Sequence, residues 1–206
     1  MKIAIIGSGN VGGALAQKFI KAGHTVLIGA KFPLSEKSIK LATQIGEDRF
    51  TSVESAVKQC EVIVLATPAP MAVEVAQSLG DTTGKVIIDT MNIVLGRGPA
   101  GFSSTADAIL TNTATKDVVK CFNTTGFNNM LDTTYGEYTI DAFVAGDSEK
   151  GKEVATKLAL DAGFGACYDI GGSDKFQLME QFAFFWINLA MFKGQGREIG
   201  FKLLKR

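Results

Sequence analysis

Short apolar runs alternate with amphipathic stretches over the first two thirds of the chain. Residues 2–6 read as a strand and 11–22 as a helix with Leu15, Phe19 and Ala22 on one face. Residues 25–28 predict the next strand, 36–45 a helix, 49–51 a short third strand and 55–59 a helical turn. A strongly apolar strand over 61–66 precedes a helix over 69–79 and a fifth strand over 85–89. A helix over 104–110 and a sixth strand over 117–122 complete the series. Unbroken Val/Ile runs suit strands buried on both faces of a parallel sheet. Strands alternating with helices predict the α/β class, a Rossmann-type doubly wound parallel sheet.

After residue 138 the rhythm changes. Residues 139–145 predict a strand, 149–162 a helix and 166–170 another strand, and 174–191 a long apolar helix after the break at Gly171-Gly172-Ser173. The expected division is a dinucleotide-binding domain over 1–138 and a small C-terminal α/β extension over 139–206 that closes the acceptor site and dimerises. Phe176, Met179, Ala183, Trp186 and Ala190 form one stripe on the last helix, and Phe182, Phe185, Leu189 and Phe192 a second. A helix apolar nearly all round must be buried. The second stripe calls for a partner, either another copy of the chain or Phe201 and Leu203-Leu204 folding back. The homodimer is the favoured expectation. Of the 14 phenylalanines only three precede residue 100, so the excess belongs to this C-terminal unit.

Composition removes several classes. With 206 residues, 46% hydrophobic and a net charge of zero, the chain is neither disordered nor a basic nucleic-acid binder. The longest apolar stretch, 182–192, is far shorter than the ~20 residues that span a bilayer. Cys60, Cys121 and Cys167 make no metal pattern with the single His24, and read as three buried thiols in a reducing, cytoplasmic setting. No metal site is expected.

The chemistry-bearing signal is Gly7-Ser8-Gly9-Asn10-Val11-Gly12, between the first strand and the first helix. In such a loop Gly7 permits the tight turn, Gly9 lets a pyrophosphate approach the backbone, and Gly12 allows close helix–strand packing. The helix N-terminus offers unpaired N–H groups to phosphates. An NAD site usually places an acid at the end of the second strand, about 20 residues on. Here that region reads Ile28-Gly29-Ala30-Lys31, with no carboxylate before Glu36. Lys31, helped by Ser35 and Lys37, favours the 2′-phosphate of NADP(H). The tips of strands four, five and six carry Ala66-Thr67-Pro68, Thr90-Met91-Asn92 and Phe122-Asn123-Thr124. These lie where ligands sit in open α/β sheets. None supplies an acid or base for a hydroxyl proton. Lys116 and Lys120 bracket strand six and read as solvated, and His24 lies at the opposite edge. No catalytic side chain is therefore assigned. The chemistry that fits is hydride transfer to an acceptor carrying its own electron sink, which needs alignment more than proton transfer. A non-catalytic NADPH sensor and a small-substrate NADP-dependent dehydrogenase or imine reductase are the alternatives.

These residues resemble the coenzyme F420-dependent NADP reductase family. The likeness runs through Ile5 to Gly12, Gly23-His24-Thr25-Val26, Ile63 to Pro68, Val86 to Asp89 with Asn92, and Val118-Val119-Lys120-Cys121-Phe122-Asn123-Thr124. It continues in Phe143 to Asp147 and in Met179-Glu180 with Phe185-Trp186-Ile187. The same pattern occurs in the reductase domain of STEAP-type metalloreductases, whose transmembrane helices are not expected here. The resemblance implies NADP(H) on the glycine loop, with F420 or another flavin stacked on the nicotinamide as co-substrate. The family's phosphate-binding serine–arginine pair falls on Ala30-Lys31, and its asparagine–proline pair on Asn92-Ile93.

Overall fold

The computed structural model describes residues 1–206. In chain order the elements are β1 (Lys2–Ile6), α1 (Asn10–Lys21), β2 (Thr25–Gly29), α2 (Glu36–Ile45), β3 (Phe50–Thr51) and α3 (Val53–Gln59). There follow β4 (Val62–Leu65), α4 (Ala72–Ser78), β5 (Val86–Asp89), α5 (Thr105–Thr111), β6 (Val118–Cys121) and α6 (Phe127–Leu131). The last group is β7 (Thr134–Tyr135), β8 (Tyr138–Thr139), β9 (Ala142–Ala145), α7 (Glu149–Asp161), β10 (Cys167–Asp169) and α8 (Phe176–Ile187).

The sheet runs β10-β9-β6-β5-β4-β1-β2-β3. From β3 to β6 every pairing is parallel, with Ile5 opposite both Ile28 and Val64, and Ile88 opposite Val64 and Val119. Alternation along β1 sends Ile3 and Ile5 to one face, with Leu15 and Phe19 of α1, and Ala4 and Ile6 to the other, with Ala56 of α3 and Ala72 of α4. Both faces are therefore dry, as the continuous apolar strands require.

The C-terminal residues extend the same sheet. β9 joins β6 antiparallel, with Lys120 opposite Ala145, and β10 joins β9 in parallel. The single strand expected over 139–145 is two strands. Tyr138–Thr139 pairs with Thr134–Tyr135 in a hairpin whose turn holds Gly136 at φ 61°, and Ala142–Ala145 enters the sheet. Between them Asp141 is buried, accepting from Lys202 Nζ at 3.1 Å and from the Leu203 amide at 2.8 Å. The boundary expected at 138 falls inside this hairpin, and strands from both sides of it share one sheet.

The first stripe of α8 is buried as its spacing implied: Phe176, Met179, Ala183 and Trp186, with Ala190 just beyond. The helix ends earlier than the expected 191, and Asn188–Phe192 is wound as a π-turn. Over the second stripe the tail folds back. Phe201 stacks on Phe182 and Phe185, with ring centroids 4.8 and 6.0 Å away, and Trp186 Nε1 donates to the Ile199 carbonyl at 2.7 Å. Phe185 and Phe192 remain 51% and 58% exposed. No helix is long and apolar enough to cross a membrane. The three cysteines are free; Cys167 is partly exposed rather than buried, because β10 is an edge strand.

Asp117, at the foot of β6, anchors the start of α7. It accepts from Ser148 Oγ at 2.7 Å and Lys150 Nζ at 2.9 Å. The Ser148 hydrogen bond first, and then Lys150, hold its carboxyl below the ordinary value. A depressed carboxylate contributes stability above its unfolded pKa, about 3.9, that is lost as pH falls through the folded value. Acid unfolding followed by circular dichroism is expected to lose part of its steepness below about pH 4 in Asp117→Asn.

Candidate functional site

The glycine loop separates into positions explained by packing and one that is not. Gly7 has φ +114°, a conformation L side chains rarely adopt, and a Cβ there would also run into the Ala66 carbonyl. A Cβ on Gly12 would run into the Gly7 carbonyl oxygen. Gly9 is different: its φ is an ordinary −75°, and a Cβ would have no atom within 4 Å. Nothing in the protein itself requires glycine there. Gly9 is also the N-cap of α1, and no side chain caps that helix. Ser35, Ser52, Ser104 and Ser148 cap α2, α3, α5 and α7. The first amides of α1 have no partner inside the helix, so open space at Gly9 meets free N–H groups at Asn10 and Val11. This is a cradle for an anionic group that approaches the backbone closely.

Around the loop, Ser8 Oγ meets Ser38 Oγ at 2.7 Å, and Ser38 meets Ser35 Oγ at 2.9 Å. This chain ties the start of α2 to the loop. Ala30 is buried at the end of β2. Lys37 lines a cavity of about 240 Å³ with Ser8, Gly9, Asn10 and Lys40. Lys31 turns elsewhere and pairs with Glu74 of α4 at 2.7 Å. The two lysines expected to act together thus have different neighbours.

The strand tips form a continuous line. Gly7 abuts Ala66 and Thr67, and Thr67 Oγ1 donates to Met91 Sδ at 3.2 Å. Pro68 opens the turn into α4. Asn92 Nδ2 donates to the Asn123 carbonyl, and Asn123 Nδ2 donates to Asn92 Oδ1, both at 2.8 Å. Asn123 also donates to the Met179 carbonyl at 3.1 Å, while its own Oδ1 is enclosed without a partner. Before it, Phe122 sits at φ +61°, a strained region for an aromatic residue, held by its ring packing against Phe19 and Phe164. That turn directs Asn123 toward Asn92; Thr124, next along, is buried. The tips of β1, β4, β5 and β6 are thereby linked side by side.

Lys120 is not solvated. Its side chain is fully buried, and Nζ lies 2.5 Å from Asp89 Oδ2, 2.9 Å from Glu180 Oε1, 2.8 Å from Thr105 Oγ1 and 2.7 Å from the Met91 carbonyl. Glu180 also accepts from the amides of Ile93 and Thr105, each at 2.9 Å. Lys120 and Glu180 therefore grip the backbone on either side of Asn92. Burial pushes the Asp89 carboxyl up, against the opposing pull of Lys120. A signal existed in the sequence. Asp89 and Lys120 are charges inside apolar strands, and the register sets them side by side; Glu180 is an acid within an apolar helix. His24 is bound far from this line, with Nε2 3.0 Å from Asp161 and Nδ1 3.1 Å from the Met1 amino group. No cluster of His, Cys, Asp and Glu has the makings of a metal site.

Residues 2–93 match the family described as NADP oxidoreductase coenzyme F420-dependent. No curated protein matches the sequence. Among solved structures, a candidate F420-dependent NADP-reductase from Arthrobacter sp. FB24 is 22% identical with a TM-score of 0.87, each chain covered over 100% of its length. The hypothetical protein SMa0349 from Sinorhizobium meliloti is 22% identical with a TM-score of 0.72, over 84% of this chain and 85% of that one. A reductive aminase from Aspergillus terreus, in complex with NADPH and ethyl-5-oxohexanoate, is 19% identical with a TM-score of 0.64. That match takes in 94% of this chain but only 62% of the aminase. At these identities the structures share the fold, a Rossmann-like sheet with flanking helices. Over residues 2–93, just under half of the chain, the sequence is thus similar to the family described as NADP oxidoreductase coenzyme F420-dependent.

Proposed function

We propose that the protein transfers a hydride between NADPH and a flavin-like acceptor, F420 or another flavin. The observation that carries the dinucleotide half is Gly9: open space over the uncapped amides of α1. Ser8, Gly9, Asn10 and Val11 would hold the pyrophosphate, and Lys31 with Ser35 and Lys37 the 2′-phosphate end. The family description supports NADP as the nucleotide. The nicotinamide supplies the hydride.

Along the strand tips this chain contributes alignment. Asn92 and Asn123 are locked to one another, and Lys120, Asp89 and Glu180 are buried among themselves. A line of amides and small side chains, with its charges sealed beneath it, suits an acceptor that stores electrons in its own ring. The test is anaerobic oxidation of NADPH by F420, FMN and FAD, each supplied separately.

The C-terminal unit closes the acceptor side in this proposal, because Glu180 and Met179 of α8 are bonded to the tips of β5 and β6. A second copy of the chain would cover the outer face at Phe185 and Phe192. Sedimentation is expected to give a dimer at micromolar concentration, and a clean monomer removes this part.

A further inference from the structure

We propose that Glu74 supplies the carboxylate missing from the end of β2, so that the Lys31–Glu74 pair lets the adenosine end of the site take NADH as well as NADPH. This rests on the reading of Lys31 as the 2′-phosphate ligand. In the sheet, β2 and β4 flank β1. Lys31 follows β2, and Glu74 stands in the first turn of α4, after β4. Their ion pair therefore reaches across the strand that carries the glycine loop.

Lys31 Nζ is 2.7 Å from Glu74 Oε1, and the two side chains are 64% and 56% exposed. An exposed pair of this kind is weak and opens readily. Any group held by the Lys31 ammonium lies within reach of the Glu74 carboxylate. A 2′-phosphate entering there is attracted by Lys31, repelled by Glu74, and competes with Glu74 for the same cation. A ribose 2′-hydroxyl instead finds in Glu74 an acceptor. NAD sites commonly place that acceptor at the end of the second strand. Residues 29–35 contain no acid. Glu74 brings one to the Lys31 ammonium from α4, a contribution hidden by its distance of 43 residues from Lys31. The pair thus opposes strict NADP selectivity.

The test is fluorescence titration of the full chain with NADPH and with NADH, on the native protein, Glu74→Gln and Lys31→Met. Both positions are exposed, and thermal melts establish that the variants fold. Glu74→Gln is expected to tighten NADPH about two- to five-fold and to weaken NADH by at least as much. Lys31→Met is expected to weaken NADPH and leave NADH in place. If Lys31→Met weakens NADPH while Glu74→Gln moves neither Kd, the Lys31 reading stands and the role of Glu74 is overturned. If Lys31→Met leaves NADPH binding unchanged, the Lys31 reading fails and this proposal goes with it.

Discussion

Lys120→Met destabilises the protein by roughly 3–5 kcal/mol, the usual consequence of removing one partner from a buried ion pair. The cause lies in what stays behind. Asp89 and Glu180 would remain in a water-free pocket with one hydroxyl, Thr105, and three backbone amides to answer two carboxylates. Methionine fills most of the lysine volume, so lost packing contributes little and the unpaired charge dominates. The midpoint of urea unfolding should fall with little change in slope. A companion substitution, Glu180→Gln, keeps the shape and removes one of the two negative charges. It is expected to cost less than Lys120→Met, because one carboxylate still answers the ammonium. Equal losses in the two variants would mean that the site responds to shape and not to charge.

The glycine loop gives the second large effect, and here stability and binding come apart. Gly9→Val is expected to fold with a loss of only about 1 kcal/mol, the cost of a branched residue at an N-cap, since its backbone is extended and its surroundings are empty. Its NADPH affinity should fall on the order of a hundredfold, because the branched side chain occupies the approach to the α1 amides and removes about two charge-assisted hydrogen bonds. Gly12→Ala should do the reverse in stability. Alanine normally favours a helix interior over glycine by ~0.5–1 kcal/mol. Here its methyl meets the Gly7 carbonyl, part of a backbone that cannot swing away, so the variant should unfold more easily. Thermal melts beside NADPH titrations separate the two. A Gly9→Val protein that binds NADPH like the native one would remove the glycine loop from the site.

Much of this was legible in the residues. Apolar runs such as Ile3-Ala4-Ile5-Ile6 and Val62-Ile63-Val64-Leu65 announce strands buried on both faces. The loop between β1 and α1 announces a phosphate cradle. The stripe from Phe176 to Ala190 predicts which face of α8 is buried. The antiparallel entry of β9 was not legible, because strand direction depends on the path of residues 122–141, where α6 and a two-strand hairpin are each too short for a periodic signal. The burial of Lys120 is hidden for a different reason. A lysine at a strand end is solvated unless acids meet it, and one of its acids comes from 60 residues away on α8. Glu74, 43 residues from Lys31, is hidden in the same way. The α1 cradle could be located from sequence, but only the open space at Gly9 distinguishes a glycine kept for a ligand from one kept for packing.

Hydride transfer is tested most directly by mixing the protein and NADPH anaerobically with F420, FMN or FAD and following nicotinamide and acceptor absorbance together. Loss of NADPH matched one for one by acceptor reduction, abolished in Gly9→Val, is the expected result. NADPH that binds and is oxidised by none of the three would contradict it, leaving a protein that holds the dinucleotide without passing its hydride on.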